Sequence, residues 1–424
     1  MRLHPILLLF SVLLAGPCLG KPDNDNFGAG PAVTMELKNA RWFDGQNFKR
    51  GTLYVKDGRF TSQKIKRAQR RMDLKGQFLI PPLAEANNHN LQNSWGFSRF
   101  ASSYLNDGVF YAAMQCGEPT AVAAVRPLAS QPATPDVLFT TACITSSDGL
   151  PLAQLMEPSD DPTAAKPKLE DFADKAVLII DQAEQIAQKW PLVTSRKTDL
   201  VTLMLSRVES PDLRADPRQQ GRLGLKPELP ALIVRRAHQD KLRVIAHIET
   251  AADFALSVQA GVDWIAHLPG YFFHEGSSAE TYRVSPEVAA EAGKRKISVI
   301  TATAATALFR MPPERLAAVR KLQVENLRLL LTAGVPLLLG SDDFTSNSLA
   351  ELRSLDALGV FERAALLRIA SIDTPRTLFP KRRLGCFDNG CEASFLLLAD
   401  NPLQNLDALA GIQLRVKQGR VLSR

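Results

Sequence analysis

The chain has 424 residues, 45% of them hydrophobic and 22% charged, which excludes an intrinsically disordered protein and allows a large buried core. Lys and Arg outnumber Asp and Glu by seven, but these residues are scattered along the chain. The densest basic cluster, within residues 64–71, is typical of a solvated surface loop rather than of a nucleic-acid-binding patch. We therefore expect no nucleic-acid partner.

The N-terminus has the residue order of a secretory signal. Arg2 precedes the apolar run 6–15, which is followed by Pro17 and by the small residue Gly20. The run has ten residues, whereas a helix needs about 20 apolar residues to cross a bilayer, and no later stretch is long and apolar enough. These features predict a cleaved signal peptide of residues 1–20, a periplasmic or secreted mature chain, and no stable membrane insertion.

Both ends of the mature chain are predicted to form short strands joined by tight turns. Asp44-Gly45 and Asp57-Gly58 lie between alternating apolar runs, which is a strong hairpin signal. The C-terminal stretch has the same character. We therefore predict one small β-sandwich domain built from both termini, residues 33–80 plus 382–424.

In the intervening residues 81–381, apolar runs alternate with helical patterns. Eight predicted strands span residues 78–89, 109–115, 136–144, 200–205, 242–247, 262–267, 297–301 and 335–340. The predicted helices span residues 168–189, 228–239, 251–260, 286–294, 313–333 and 348–357. Eight alternating units favour a closed (β/α)8 barrel of the TIM type. An open doubly wound sheet is disfavoured, because no glycine-rich phosphate-binding motif follows the first strand.

Two predicted loops and the four cysteines of the predicted mature chain remain to be placed. Residues 119–135 and 157–167 are predicted loops, and the second is a candidate lid. Cys386 and Cys391 flank an Asn-Gly turn, which predicts a local disulfide. Cys116 and Cys143 lie in apolar strand-like runs, so a second disulfide and two buried free thiols are equally compatible with the sequence. None of the four has the spacing of a zinc site.

Polar side chains follow several of the predicted barrel strands. His89, His247, His267 and Asp342 each stand at the end of a strand, where barrels of this kind carry their active sites. Taken alone, each His is more typical of a structural residue, and Asp342 could cap the following helix. Together they suit a zinc-like divalent ion, because barrel strand ends converge on one mouth.

Two other histidines, His238 and His274, lie away from predicted strand ends. We interpret both as surface residues.

The order and spacing of these motifs resemble the amidohydrolase superfamily, nearest to its imidazolonepropionase-like and prolidase-like members. The resemblance covers nearly the whole mature chain and is carried by residues 57–59, 74–83, 260–267, 333–342, 390–394 and 401–403. It implies the barrel and terminal β-sandwich described above. It also implies a metal-dependent hydrolase.

Two metal-ligand positions of that family have changed in this chain. The first of its two first-strand histidines falls on Asn87 and the second on His89, and its bridging Lys on the fourth strand falls on Thr202. Without that Lys, a two-metal centre loses its anionic bridge. The resemblance therefore implies at most one divalent ion, with zinc the expected one.

The remaining family ligands assign provisional roles. His89, His247 and Asp342 would hold the ion, with Asn87 as a weak further ligand. Water activated at the ion would attack the substrate, and Asp342 would take the water's proton and pass it to the leaving nitrogen. His267 would polarise the substrate oxygen.

Two functions follow from these expectations. The first is hydrolysis of a carbon–nitrogen bond in a small molecule: an amide, a cyclic amide or a dipeptide-like bond. The second is a barrel that has lost catalysis and binds a ligand or partner, because Asn87 and Thr202 are what drift would leave. The metal content of the purified protein distinguishes the two functions: near-stoichiometric zinc supports the hydrolase, and no zinc supports the binding protein. The sequence defines neither the substrate nor an oligomeric state.

Overall fold

The computed structural model describes residues 26–141, 143–158 and 165–424. The predicted signal peptide and most of the candidate lid lie outside these residues, so both stay predictions. No helix in the described ranges is long and apolar enough to cross a membrane.

The described part of the chain contains many short strands and a set of helices around them. The strands are β1 Gly28–Ala29, β2 Met35–Phe43, β3 Phe48–Lys56, β4 Arg59–Thr61, β5 Arg70–Asp73, β6 Phe78–Ile80, β7 Leu83–Asn88, β8 Val109–Gly117, β9 Asp136–Thr141, β10 Cys143–Thr145, β11 Val177–Ile179, β12 Leu200–Met204, β13 Arg243–His247, β14 Trp264–Ala266, β15 Ser298–Ile300, β16 Leu337–Leu338, β17 Phe395–Leu398, β18 Ile412–Lys417 and β19 Arg420–Ser423. The α-helices are α1 Ser94–Asn106, α2 Pro119–Val125, α3 Leu152–Leu155, α4 Leu169–Phe172, α5 Glu184–Ser195, α6 Pro230–Gln239, α7 Ala251–Ala260, α8 Pro286–Arg295, α9 Pro313–Thr332, α10 Ser348–Leu358, α11 Arg363–Arg368 and α12 Thr374–Leu378.

Strands from the two ends of the chain pair in one branched sheet. Its spatial order is β1-β19-β18-β17-β6-β2-β3-β4, and β5 pairs with β2. The hairpin between β3 and β4 turns at Asp57 and Gly58, which have φ values of 51° and 71°. This left-handed pair is typical of the tight hairpin turn that the sequence predicted. The sheet has its own apolar core, which includes Met35, Phe60 and Phe395.

The remaining strands are parallel and fall into two sheets. Their orders are β7-β8-β9 and β11-β10-β12-β13-β14-β15-β16. Isolated hydrogen bonds join the edges: Asp199 N donates to Phe139 O over 2.9 Å, Ala86 N donates to Leu339 O over 2.8 Å, and Asp342 N donates to Asn87 O over 2.8 Å. The predicted α/β class with parallel strands is therefore confirmed. The hydrogen-bonded ladder is not one continuous ring, because these two edges carry only isolated bonds.

The predicted helix over residues 168–189 is wrong. The structure has the short helix α4, then the strand β11, and then α5. Val177, Leu178 and Ile179 of β11 are buried, and β11 pairs in parallel with β10. A short apolar run of this kind fits a helix or a strand equally well, and here edge pairing decided the outcome.

The predicted loop over residues 119–135 begins with a helix. Glu118 caps α2, because its carboxylate accepts from Thr120 N over 2.9 Å and from Ala121 N over 2.7 Å. Pro119 occupies the first helical position. A capping carboxylate followed by Pro is the sequence signal that was missed.

A buried charge cluster joins the terminal sheet to the barrel. Lys417 at the end of β18 donates from Nζ to Asp136 Oδ1 over 2.6 Å, and to the carbonyl oxygens of Gln131 and Thr134. Arg382 donates to the other oxygen of Asp136 over 2.6 Å and also pairs with Glu392. Burial lowers the pKa of Lys417 and Asp136 partly offsets that effect. The lysine is thus held in the interior by three acceptors.

Candidate active site

The structure brings the four strand-end side chains together at one mouth of the barrel. His89 Nε2 lies 3.0 Å from Asp342 Oδ1, and His267 Nε2 lies 3.5 Å from Asp342 Oδ2. The His247 and His267 rings meet edge to face with centroids 4.8 Å apart. The first, fifth, sixth and eighth predicted barrel strands therefore end at a shared centre around Asp342.

Backbone geometry fixes two of these residues in sparsely populated conformations. His267 has φ of 81° and Asp342 has φ of 48°, both in the left-handed region that favours glycine. Asp342 N donates to Asn87 O over 2.8 Å, which ties the last barrel strand to the first. The following helix α10 is capped by Asn347. The alternative role of Asp342 as a helix cap is therefore excluded.

Burial and neighbouring rings set the charges at this centre. Burial raises the pKa of Asp342, but His267 and His89 outweigh that effect, so the pKa lies below its ordinary value. Burial lowers the pKa of His247, and it lowers the pKa of His267 to about 3. At neutral pH the mouth therefore presents an ionised carboxylate beside neutral imidazoles, which is the arrangement of a general base.

The tautomer of His89 follows from its backbone contact. Its Nδ1 lies 2.8 Å from Gln115 O, and a carbonyl oxygen can only accept, so Nδ1 carries the proton. Nε2 lies 3.0 Å from Asp342 Oδ1, where it can share a further proton or a cation with that oxygen. A histidine oriented by a backbone carbonyl is also the usual arrangement at metal sites.

The nitrogen and oxygen atoms at this centre are of the types that bind a metal ion, but their geometry is not that of a metal site. His247 Nε2 is buried and has no hydrogen-bond partner, and Asp342 Oδ1 faces His89 Nε2 at 3.0 Å. Among the described residues, however, no group of three or more His, Cys, Asp or Glu side chains is placed to hold one ion. The expected ligands would have to turn towards one point to bind an ion, and we derive no catalytic step from one.

A neutral pair of side chains occupies the position to which the sequence resemblance assigned a bridging Lys. Thr202 Oγ1 donates to Gln115 Oε1 over 2.6 Å, and both side chains are buried. The other side-chain atom of this amide, Gln115 Nε2, has no hydrogen-bond partner. Gln115 ends a predicted strand, but an uncharged amide gave no reason to select it from the sequence.

The interpretation of His274 as a surface residue is wrong. Its side chain is only 22% exposed, and its Nε2 lies 2.9 Å from Glu249 Oε2. The same oxygen of Glu249 accepts from Ser206 Oγ. Burial raises the pKa of Glu249, but the His274 contact outweighs it and the pKa is lowered. By contrast, His238 is exposed and pairs with Asp263, as expected for a surface residue.

A second carboxylate missed at the sequence level lies on the first barrel strand. Glu85 is fully buried and accepts from Asn87 N and Ser341 N, both over 2.9 Å, and from Ser341 Oγ over 2.7 Å. Burial raises its pKa to about 8. Because Ser341 directly precedes Asp342, Glu85 helps to hold the first and last strand ends together.

Aromatic rings flank the histidines at the mouth. Tyr271 stacks on His267 with centroids 4.6 Å apart, and Phe344 lies 5.0 Å from His89. Phe272 and Phe309 stack in parallel beside Tyr271 at 4.5 Å. The polar centre is therefore bordered by apolar walls, as is common in small-molecule sites.

The structure bonds the cysteines in two pairs within its described range. Cys386 and Cys391 are joined with their Cα atoms 5.8 Å apart, and Cys116 and Cys143 with theirs 4.9 Å apart. The second pair is the one that the sequence left open. It lies close to the site, because Cys143 is in register with Thr202.

Solved structures share this fold over nearly the whole chain. An amidohydrolase matches with a TM-score of 0.68 and 20% identity, over 92% of this chain and 98% of its own. A prolidase solved with N-methylphosphonate-L-proline matches with 0.70 and 18%, over 92% and 100%. Ochratoxinase from A. niger matches with 0.69 and 17%, over 92% and 96%. No protein-family model and no curated protein sequence matches the chain.

At these identities the similarity establishes the fold. The chain has the fold of the amidohydrolase superfamily, as the sequence resemblance implied. The prediction of an α/β barrel-type domain with an added β domain is confirmed at that level.

Proposed function

We propose that the protein is a hydrolase that cleaves a carbon–nitrogen bond of a small amide, cyclic amide or dipeptide-like substrate. The observation that carries the proposal is the ionised, largely buried Asp342 beside neutral His267 at the strand ends. The structural neighbours support it, because they are hydrolases that act on amide or dipeptide bonds. Because one fold can support many activities, the proposal rests on the residues of the site and not on the fold alone.

The proposed chemistry uses residues of this chain. Asp342 accepts a proton from a water molecule, whose oxygen forms a bond to the carbonyl carbon. The carbon–nitrogen bond then breaks, and Asp342 returns the proton to the leaving nitrogen. His267 has a buried Nδ1 without a partner, so its ring can donate from Nδ1 to the substrate oxygen, and Nε2 then accepts from Asp342 once that carboxylate has taken the proton of the water.

A single zinc-like ion and export remain proposals. His89, His247 and Asp342, with Asn87 as a weak ligand, would hold the ion, which would supply an activated water and a Lewis acid. The unpartnered His247 Nε2 and the closeness of His89 Nε2 to Asp342 Oδ1 support this proposal. Export to the periplasm or medium is supported by the signal-like residues 1–20 alone.

The test is hydrolysis by the purified full chain of acetanilide, Ala-Pro and phenylurea, each followed by release of the amine. We expect turnover of at least one compound, and Asp342→Asn should lower kcat by about 100-fold or more because an amide cannot take the proton. Asp343→Asn is the matched control, since that neighbouring carboxylate only accepts from Thr345. Equal loss in both variants, or no turnover by the wild type, contradicts the proposal. The second outcome favours a ligand-binding barrel.

A further inference from the structure

We propose that Gln115 is a substrate-binding residue whose side-chain amide donates a hydrogen bond to the substrate's carbonyl oxygen. The inner end of the site would then take an uncharged amide or urea rather than an anionic group. The proposal deepens the hydrolase function above and rests on it.

Topology places the Gln115 side chain inside the barrel. Gln115 belongs to β8, whose hydrogen-bonded neighbours are β7 and β9, whereas Thr202 belongs to β12, between β10 and β13. The hydrogen bond between Thr202 Oγ1 and Gln115 Oε1 therefore spans strands that are not paired. Thr202 lies two residues before Met204, which is in register with His247, so the Thr202 side chain shares the face of the sheet from which His247 points into the mouth.

Contacts also place Gln115 beside the base. Its backbone oxygen accepts from His89 Nδ1, and His89 Nε2 lies against Asp342. The residue thus touches the His89–Asp342 pair through its main chain, while its side chain extends towards Thr202.

The orientation of the amide leaves its donors free. Because the Thr202 hydroxyl occupies Oε1, the Nε2 group carries two N–H donors away from that contact. Gln115 is 2% exposed, and Nε2 has no partner. A buried donor without an acceptor costs about 1–3 kcal/mol, so a molecule in the site must supply one. A carbonyl oxygen of the substrate meets that need.

Charge at the site favours a neutral ligand. Within the described part of the chain, the charged or titratable side chains that contact Asp342 are His89 and His267, and neither Lys nor Arg pairs with it. An anion here would face Asp342 without a counter-charge. A preorganised neutral donor such as Gln115 instead suits a carbonyl oxygen that gains charge during attack.

Replacing oxygen by sulfur in the ligand tests this hydrogen bond directly. Acetanilide and thioacetanilide differ in the atom that would accept from Gln115, and sulfur is the weaker acceptor. Calorimetric binding of both compounds is measured with wild-type protein and with Gln115→Met, which keeps the length of the side chain but removes the donors. Where turnover occurs, kcat/KM is measured with the same pair.

The wild type should bind acetanilide more tightly than thioacetanilide. Gln115→Met should weaken acetanilide binding by about tenfold and largely remove the preference for oxygen. Thr202→Val should weaken acetanilide binding less, because it only frees the amide to rotate, and Thr202→Ser is the matched control that keeps the hydroxyl. Thermal unfolding of each variant checks that the fold is retained.

The outcomes separate this proposal from the hydrolase function. Binding that depends on Gln115 without turnover sustains the role of Gln115 and contradicts hydrolysis. Turnover with the same oxygen preference in wild type and Gln115→Met overturns the role of Gln115 alone. Absence of acetanilide binding by the wild type, or equal binding by wild type and Gln115→Met, also overturns it. If Gln115 Nε2 donates only to a water molecule, wild type and Gln115→Met would bind acetanilide equally.

Discussion

At the residue scale, Asn87 is the position at which the sequence resemblance places a metal-ligating histidine. A neutral amide oxygen is a weak ligand for zinc, whereas an imidazole is a strong one. We expect Asn87→His to hold more zinc per chain than the wild type after dialysis against one zinc buffer, and His89→Ala to hold less. Metal per chain is measured by elemental analysis.

The exposed His238 provides the control for this comparison. Its side chain is exposed and pairs with Asp263, so His238→Ala should match the wild type. Equal zinc in the wild type, His89→Ala and Asn87→His would rule out an ion at these positions.

The grouping of His89, His247, His267 and Asp342 could be anticipated from sequence, because strand ends of a parallel barrel converge. Gln115, Glu249 and His274 could not be anticipated in the same way. The path of the chain after each strand brings Glu249 and His274 together, and that path follows from loop packing rather than from periodicity. Gln115 is uncharged, and its importance rests on an unmet hydrogen bond that only coordinates reveal.

At the element scale, α10 carries a buried carboxylate that makes stability depend on pH. Glu351 accepts from the hydroxyl groups of Thr301 and Thr303 and from Ala304 N. Burial raises its pKa to about 7, from an ordinary value of 4.5. The folded state therefore favours the protonated form. Its stabilising contribution is full below pH 4.5 and is lost as the pH rises through 7.

Glu351→Gln removes this titration while keeping the side-chain shape. Between pH 4.5 and 7.5, the wild type should lose roughly 3 kcal/mol of unfolding free energy relative to the variant. Urea unfolding at the two pH values measures the difference. The other buried carboxyls, Glu85 and Asp253, titrate in both proteins and cancel. Parallel pH profiles for the two proteins would show that Glu351 stays ionised in the fold.

Helix α7 shows when element boundaries can be predicted from sequence. It spans the predicted residues because both of its ends are encoded locally. Thr250 and Asp253 form a reciprocal capping box at its start, and Gly261 ends it with φ of 78°. The region of β11 has no comparable signals, so the choice between strand and helix there depended on whether a neighbouring strand offered a free edge.

At the scale of the whole molecule, the cluster around Asp136 links the two parts of the fold. Lys417→Met keeps the apolar volume but leaves Asp136 with Arg382 alone and removes a donor from two carbonyl oxygens. We expect the free energy of unfolding to fall by about 2–4 kcal/mol, measured with urea.

Lys49→Met is the matched control for that variant. Lys49 is 63% exposed and lies 3.5 Å from Asp44. An exposed pair contributes little, so this variant should unfold within about 1 kcal/mol of the wild type. If both variants lose the same stability, the cluster does not join the two parts energetically.

The overall architecture was predictable because it depends on repeated, coarse signals. Alternating apolar runs indicated parallel βα units, and Asp-Gly turns indicated the terminal strands. The division of the parallel strands into two ladders was not predictable. It depends on how many backbone hydrogen bonds form at two edges, and strand lengths such as the two residues of β16 are not encoded by apolar runs.

The terminal sheet also sets the order of events during synthesis. Within the described residues β1 pairs with β19 alone, and β6 lies between β2 and β17, so these early strands need partners that follow the barrel in the sequence. At ribosomal rates of roughly 5–20 residues per second, β1 and one edge of β6 wait on the order of half a minute while the barrel is made. A nascent chain with bare strand edges is prone to aggregation during that interval. Emergence of β17 to β19 therefore closes these strand edges and ends the vulnerable period.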